Sequence, residues 1–160
     1  MTTIRPATDA DAPAVIDIID ECYREHEGCV LLVDEEEPEL KAPASAFAEI
    51  GGGFWVVETE SGGLVGTIAV APADAPGYAR IHKLYVAKDA RGHGLGTRLC
   101  TFAEDAAQDF GADWMVLYTD SRFTAAQRLY ERMGYHRGPG ELKRADASHS
   151  IEYLYSKPLA

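Results

Sequence analysis

The sequence predicts an α/β (α+β) fold in which helices flank a mixed, mostly antiparallel central sheet. The first observation is segment order, because apolar residues recur with strand or helix periods in the order β-α-α-β-β-β-α-β-α-β-β. The second is the run of three consecutive strands, which differs from the strand–helix alternation of a doubly wound sheet. The third is size, since 160 residues with 46% hydrophobic content make one ordinary domain. No repeat, low-complexity tract or long linker divides residues 1–160, which are therefore predicted to form a single domain.

The N-terminal third is predicted to contribute one strand and two helices. Thr2–Ala7 alternates like a short strand, and Asp9 is a suitable N-cap for a helix that reaches about Glu27. The apolar positions of this helix recur at helical spacing: Val15, Ile16, Ile19, Cys22 and Tyr23. Asp34–Glu39 is predicted to be an acidic loop, and Ala42–Ile50 a weak helix.

The middle of the chain is predicted to form three strands and a long helix. Phe54–Thr59 and Leu64–Val70 flank a Ser-Gly-Gly turn and are expected to pair as an antiparallel hairpin. Tyr78–Val86 is a longer strand. The glycine-rich turn Arg91–Gly96 then opens a helix with one apolar stripe, formed by Leu95, Leu99, Phe102, Ala103, Ala106 and Phe110.

The last third is predicted to alternate strands and a helix. Asp113–Thr119 is a strand, Phe123–Met133 a helix, and Tyr135 begins a short strand. Residues 138–149 are predicted to be a polar loop, and Ile151–Ser156 alternates as the last strand. This strand is apolar and aromatic enough to pair across a homodimer, the arrangement we favour, or to close the domain's own sheet.

The charge of the chain is unevenly distributed. The formal net charge is −11, from 15 Lys and Arg against 26 Asp and Glu. Residues 1–60 hold 3 basic and 15 acidic residues, whereas residues 61–160 hold 12 and 11. The overall negative charge argues against binding to nucleic acid, which requires a basic face. The acidic first part is instead expected to attract a cationic partner.

The sequence carries no membrane, export or metal-binding signal. No apolar run approaches the roughly 20 residues that span a bilayer, and residues 1–20 lack the basic start and apolar core of a signal peptide. The three cysteines, Cys22, Cys29 and Cys100, have no zinc-site spacing. We therefore expect a cytoplasmic protein with reduced thiols, no bound metal and no membrane association.

The glycine-rich turn is the strongest candidate for a binding site. In LYVAKDARGHGLGT, residues 84–97, a strand leads through glycines directly into an amphipathic helix. A helix N-terminus presents unpaired N–H groups with partial positive charge, and glycines let the backbone approach an anion closely. Arg91, Gly92, Gly94 and Gly96 are therefore predicted to form a pyrophosphate cradle. The turn lacks the Gly-Lys-Ser/Thr of a P-loop and the G-x-G-x-x-G spacing of a dinucleotide fingerprint.

Two motifs resemble those of the GNAT superfamily of acyl-CoA-dependent N-acetyltransferases. The R-x-x-G-x-G pattern of Arg91, Gly94 and Gly96 resembles the first signature of that superfamily. The segment Ala126-x-x-Leu129-Tyr130-Glu131-x-x-Gly134-Tyr135 resembles its second signature. The order of elements agrees as well, so the resemblance covers essentially the whole chain and is strongest over residues 80–136.

The resemblance implies that acetyl-CoA is the cosubstrate and that no metal takes part. Its pyrophosphate is expected on the turn formed by Arg91, Gly92, His93, Gly94, Leu95, Gly96 and Thr97. Its pantetheine arm is expected to pair like a strand with Leu84, Tyr85 and Val86. The resemblance further implies that this strand separates from the next one, Asp113–Thr119, because the gap between them admits the cosubstrate.

The resemblance also suggests catalytic residues. Tyr130 matches the usual general acid of the family, and a phenol with an ordinary pKa of about 10 is protonated at neutral pH and able to donate to a leaving thiolate. Many relatives carry a glutamate near Arg80 or near Tyr118, and neither residue here can replace that carboxylate. His82 lies on the same strand and is the candidate general base.

The expected activity is transfer of the acetyl group of acetyl-CoA to a primary amine, most simply a small cationic amine drawn by Asp34, Glu35, Glu36, Glu37 and Glu39. Two alternatives remain open at this point. One is an acyl-CoA-binding sensor without turnover, suggested by the missing carboxylates and by Phe123, where relatives often carry a cofactor-binding asparagine. The other is an acetyltransferase that acts on a protein N-terminus or lysine.

Overall fold

An eight-stranded sheet forms the centre of the computed structural model, which describes residues 1–159. Its strands are β1 (Thr2–Pro6), β2 (Gly53–Thr59), β3 (Leu64–Pro72), β4 (Tyr78–Val86), β5 (Trp114–Asp120), β6 (His136–Arg137), β7 (Leu142–Lys143) and β8 (Ile151–Pro158). The helices are α1 (Ala12–Arg24), α2 (Val33–Glu36), α3 (Pro43–Glu49), α4 (Leu95–Asp109) and α5 (Thr124–Arg132). The strand order is β1-β2-β3-β4-β5-β8-β6, with β7 also paired to β8. Only the β4–β5 pair is parallel, which confirms the mixed, mostly antiparallel sheet.

The two faces of the sheet carry separate apolar cores, as the alternation of β3 shows. Ile68 and Val70 of this strand pack into one core with α4 residues such as Leu99. Ala69 and Ala71 lie in the other core, with residues of α1 and α3 that include Val15, Ile19 and Phe47. Because successive side chains of a strand point to opposite faces, a strand buried on both sides reads as a continuous apolar run. Helices therefore cover both faces.

The structure corrects two details of the sequence-based prediction and shows how the last strand is paired. The predicted acidic loop Asp34–Glu39 is partly helical, because α2 and a 3-10 turn at Pro38–Lys41 occupy it. The predicted polar loop 138–149 includes the short strand β7. The last strand, β8, is paired within its own chain, with β5 on one side and β6 and β7 on the other. It therefore closes the domain's own sheet, and a homodimer stays a prediction.

The two central strands separate after a short parallel contact. Tyr78–Arg80 of β4 pairs with Trp114–Val116 of β5, and the ladder ends there. On the other side of β4, Thr67 stands opposite Tyr85 and Ala69 opposite His82, so β4 has one extra residue in this interval. Lys83 takes up this β-bulge with a left-handed backbone (φ +55°), and its carbonyl accepts a 2.7 Å hydrogen bond from the buried Thr67 hydroxyl. The bulge bends β4 away from β5 and leaves Leu84–Val86 without a neighbouring strand on that side.

No helix among the described residues has the length and apolar content needed to cross a bilayer.

Candidate active site

A cavity of about 970 Å³ lies where β4 and β5 separate. The predicted cosubstrate residues that line it are Leu84, Tyr85, Val86, Arg91, Gly92, Gly94, Leu95, Gly96 and Thr97. His93 is the exception, because its exposed ring turns back so that Nδ1 lies 3.1 Å from the Arg91 carbonyl oxygen. The free edge of β4 and the glycine-rich turn thus border one common space.

The glycine-rich turn leaves the N-terminus of α4 uncovered. Gly94 is the N-cap residue of α4 and adopts a left-handed conformation (φ +76°), as does Gly92 (φ +86°). No atom lies within 4 Å of the position that a Cβ would take at either glycine. The amides of the first turn of this 15-residue helix can therefore be approached closely by a negatively charged group. This geometry fits the pyrophosphate of a coenzyme A thioester.

The sequence predicts that the charge of Arg91 contributes to the anion cradle, but in the structure the guanidinium is bound to Glu25 and to the Val86 carbonyl. Its guanidinium donates to both carboxylate oxygens of Glu25, at 2.6 Å each, and its Nε donates to the Val86 carbonyl at 3.0 Å. The hydrogen bonds from Arg91 also hold the pKa of Glu25 below its usual value. Arg91 therefore ties the turn to the end of α1, and Glu25 balances its charge.

Tyr130 lies at the bottom of the cavity on α5. Its side chain is 5% exposed, and its ring packs at 5.9 Å from the rings of both Tyr135 and Tyr155. No hydrogen bond among the described residues engages its hydroxyl, whereas Tyr135 donates to Glu104 and Tyr155 to Glu131. Burial raises the pKa of Tyr130 well above its ordinary value, so the phenol is protonated at every physiological pH.

His82 also lines the cavity, on β4. Its ring packs edge-on against Phe47 at 5.3 Å. Burial, reinforced by the positive charges of Arg80 and Lys83, lowers the pKa of His82 to about 3. The imidazole is therefore neutral at physiological pH but weakly basic, and its assignment as the general base stays a prediction.

Comparison with known proteins identifies the family. The model of the "Acetyltransferase (GNAT) family" matches residues 12–135, more than half of the chain. The protein belongs to the GNAT acetyltransferase family.

Individual relatives agree with this assignment. The probable N-acetyltransferase camello of Xenopus tropicalis is 36% identical over 90 residues, which are 56% of this chain and 41% of camello. The chain thus spans less than half the length of that relative. A GNAT-family acetyltransferase of Staphylococcus aureus Mu50 has the same fold, with a TM-score of 0.83 over 100% of both chains at 21% identity. A GNAT superfamily phosphinothricin acetyltransferase of Sinorhizobium meliloti, solved in complex with acetyl-CoA, gives a TM-score of 0.78 at 18% identity, covering 99% of this chain and 89% of that one.

The carboxylates of the acidic segment of this GNAT domain have more partners within the fold than the sequence suggests. Lys83 Nζ lies 2.5 Å from Glu37 Oε1 and 3.4 Å from Glu39 Oε2. Glu37 also accepts a 2.9 Å hydrogen bond from the Tyr23 hydroxyl. Asp34 pairs with Lys41, and Glu36 accepts a 2.8 Å hydrogen bond from the amide of residue 147. Four of the five acidic residues predicted to attract the acceptor are therefore engaged by partners of their own.

The structure brings together two cavity residues whose contact the sequence does not predict. Arg80 and Tyr118, considered there only for the carboxylates that they lack, are in contact: the guanidinium carbon of Arg80 lies 4.7 Å from the centre of the Tyr118 ring. Both line the cavity. A cation between the apolar Ala79 and Ile81, inside a central strand, is the sequence signal that could have indicated this position.

Phe123 occupies the N-cap position of α5 and faces the same cavity. Its ring lies 4.8 Å from that of His26 and 6.3 Å from that of Tyr23. Aromatic contacts to Tyr23 of α1 and to His26, just after α1, therefore stand where the family resemblance leads one to expect a polar contact with the cosubstrate. Among residues 1–159, no group of three or more His, Cys, Asp and Glu side chains is placed to hold a metal ion.

Proposed function

We propose that this GNAT domain transfers the acetyl group of acetyl-CoA to a small primary amine by direct attack, with Tyr130 as general acid. The observation that carries the proposal is the convergence of three features on one cavity. They are the free edge of β4 at Leu84–Val86, the uncovered N-terminus of α4 behind Gly94, and the hydroxyl of Tyr130.

The open backbone features are suited to the two ends of acetyl-CoA. The amides at the start of α4 would hold the pyrophosphate, because a helix N-terminus favours negative charge. The edge at Leu84–Val86 has no partner strand on the β5 side and would hydrogen-bond the amides of the pantetheine arm, through groups other than the Val86 carbonyl, which already accepts from Arg91 and Cys22. This placement brings the thioester into the cavity that Tyr130 borders. Acetyl-CoA supplies an activated acyl group, and the remaining chemistry is positioning and proton transfer.

The reaction balances without a further reactant. The neutral amine nitrogen attacks the thioester carbonyl carbon and forms the C–N bond, the C–S bond breaks, and the thiolate takes the proton of Tyr130. The excess proton of the amine passes to solvent, and the phenolate is reprotonated from solvent. Burial raises the pKa of Tyr130 but also disfavours a thiolate in the same cavity, so the two pKa values move in the same direction and proton transfer remains accessible.

Solvent is the more favourable route for removing the amine proton. For an amine with pKa about 10.4, the neutral form at pH 7 costs about 4.6 kcal/mol. Transfer of the same proton to an imidazole with pKa about 3 would cost about 10 kcal/mol, from the difference of the two pKa values. We therefore propose that the amine enters the reaction already deprotonated, and that His82 contributes a hydrogen-bond acceptor rather than a strong base.

Thermal unfolding with acetyl-CoA tests the proposal first. A ligand present at 100 times its Kd adds about 2.7 kcal/mol of stability, which corresponds to a rise of roughly 5–10 °C in Tm for a chain of this size. ATP and NAD are the controls and are expected to give no such rise. Release of the coenzyme A thiol in the presence of an amine panel, with an amine-free control, then tests turnover. A folded sample whose Tm does not respond to acetyl-CoA would overturn the proposal.

A further inference from the structure

Arg80 is a cation in the wall of the cavity that lacks an ionic partner within the described chain. It lies on β4 at the last rung before β4 and β5 separate, opposite Val116. Its guanidinium carbon lies over the Tyr118 ring, 4.7 Å from the ring centre, and the guanidinium carbon of Arg144 lies 5.5 Å from the same centre. The Nε of Arg80 is buried without a hydrogen-bond partner among residues 1–159.

The carboxylates whose charges reach this cation are not paired with it. The charges of Glu152 and Asp74 both act on Arg80, but neither carboxylate forms an ion pair with it, and Glu152 accepts a 2.6 Å hydrogen bond from Arg144. Burial without a counter-ion lowers the pKa of Arg80. A guanidinium normally enters a protein interior together with an anion that compensates its lost hydration. The fold supplies a ring face to Arg80 but no anion.

We propose that Arg80 binds a carboxylate of the acceptor, so that the acceptor is an amine that also carries a carboxylate, such as a free amino acid. A cation–π contact leaves the N–H groups of a guanidinium free to donate, and their planar fork matches the geometry of a carboxylate. The proposal rests on the proposed function, and it narrows the acceptor to a zwitterion whose acid group faces Arg80.

The test compares amino acids with their amides. Each of the twenty L-amino acids is offered with acetyl-CoA beside its own α-carboxamide, and kcat/KM is measured from thiol release. The amide has the less basic amine, so chemistry alone favours the amide, and a preference for the acid must come from binding. We expect at least one amino acid to exceed its amide by about 10- to 100-fold, the range for a hydrogen bond to a charged group. Arg80→Gln is expected to remove this advantage, mainly because KM rises more for the acid than for its amide.

Two further variants test whether the preference for the acid depends on the guanidinium of Arg80. Arg80→Lys keeps the charge but loses the planar fork, and we expect it to retain part of the preference for the acid. Arg137→Gln is the matched control, because Arg137 also stacks on a tyrosine (Tyr153, 3.4 Å to the ring centre) but is exposed and outside the cavity wall. This variant is expected to keep the full preference.

The outcomes distinguish this proposal from the proposed function. Equal or faster acetylation of the amides, with Arg80→Gln acting equally on both series, overturns the carboxylate site while the acetyltransferase activity stands. If neither series is acetylated, the amine panel described above decides the acetyltransferase activity, and the carboxylate site is decided by thermal unfolding of the coenzyme A-bound protein with N-acetyl amino acids and their amides. A rise in Tm specific to the acids and lost in Arg80→Gln supports the site, whereas no difference between acids and amides overturns it.

Discussion

The ammonium of Lys83 lies 2.5 Å from the carboxylate of Glu37, and both side chains are largely buried, with exposures of 13% and 15%. Lys83 is the residue with left-handed backbone in the β-bulge of β4, and Glu37 lies between α2 and the turn that precedes α3. The ion pair therefore connects the bulge that opens the cavity to the acidic segment at its rim.

Lys83→Met is expected to destabilise the protein by about 3 kcal/mol, because removing one partner of a buried pair leaves the other charge uncompensated. Urea unfolding measures this loss. The double variant Lys83→Met with Glu37→Gln should lose less than the sum of the two single variants. Lys41→Met is the matched control, since the Lys41–Asp34 pair is exposed and should contribute less than 1 kcal/mol. Additive losses would contradict the coupling of Lys83 and Glu37.

Tyr130→Phe is expected to lower kcat by about 100-fold or more, the lower end of the range for general acid catalysis, while KM for acetyl-CoA changes little. Because burial raises the pKa of Tyr130, we expect no decline of the wild-type rate at high pH from loss of this proton. Steady-state kinetics from pH 6 to 10 measure both effects. Tyr135→Phe is the matched control, as this buried ring belongs to the same cluster but its hydroxyl is bound to Glu104. An equal loss in both variants would assign the effect to packing.

Gly94→Ala is expected to weaken acetyl-CoA binding by about tenfold. An alanine at this left-handed N-cap strains the backbone by roughly 1–2 kcal/mol and places a methyl group at the proposed path of the phosphates. Calorimetric titration measures the Kd. Gly111→Ala is the control, because Gly111 has a similar φ of +84° and equally open surroundings but lies after the other end of α4. Equal Kd values in the two variants would argue against an anion site at the turn.

His82→Gln is expected to make the protein less sensitive to acid. In the folded chain the pKa of His82 is about 3, below the ordinary 6.5 of an unfolded chain, so the unfolded state binds the proton first as pH falls. Stability from this group is present above pH 6.5 and is lost towards pH 3, amounting to about 3 kcal/mol between pH 7 and pH 4. Urea unfolding at both pH values should show that difference between wild type and His82→Gln. His149→Gln, at an exposed site, should behave like wild type.

The same variant bears on catalysis. If solvent takes the amine proton, log kcat/KM rises with pH towards the pKa of the acceptor in wild type and in His82→Gln alike. Disappearance of a rate-controlling pKa in the variant would instead assign the base to His82.

The features that the sequence predicts well are those encoded by neighbours in the chain. The glycines before α4, the apolar stripe of that helix and the alternation of β2 and β3 are local patterns, and the structure contains each of them. Tyr130 is likewise predicted from one short motif, and it lines the cavity, whereas its role as general acid stays a prediction.

The features that were missed depend on residues far apart in the chain. The contact between Arg80 and Tyr118, and that between Lys83 and Glu37, form only when the sheet and the acidic segment are assembled. Composition therefore predicts an exposed acidic loop, whereas in the structure four of its five carboxylates have ion-pair or hydrogen-bond partners. The left-handed backbone of Lys83 also has no local signal, because a non-glycine residue is held there by the register of β3 and β4.

The short ladder between β4 and β5 is a weak junction in the middle of the sheet. Three residue pairs join its two halves, and beyond them the amides of the Leu84–Val86 segment that face the β5 side lack the protection that a neighbouring strand gives. We expect these amides to exchange with deuterated solvent sooner than those of β3, and to slow selectively once a ligand lies along them. The cosubstrate would then serve as a temporary ninth strand, and the edge of β4 would have its full set of backbone hydrogen bonds only when acetyl-CoA is bound.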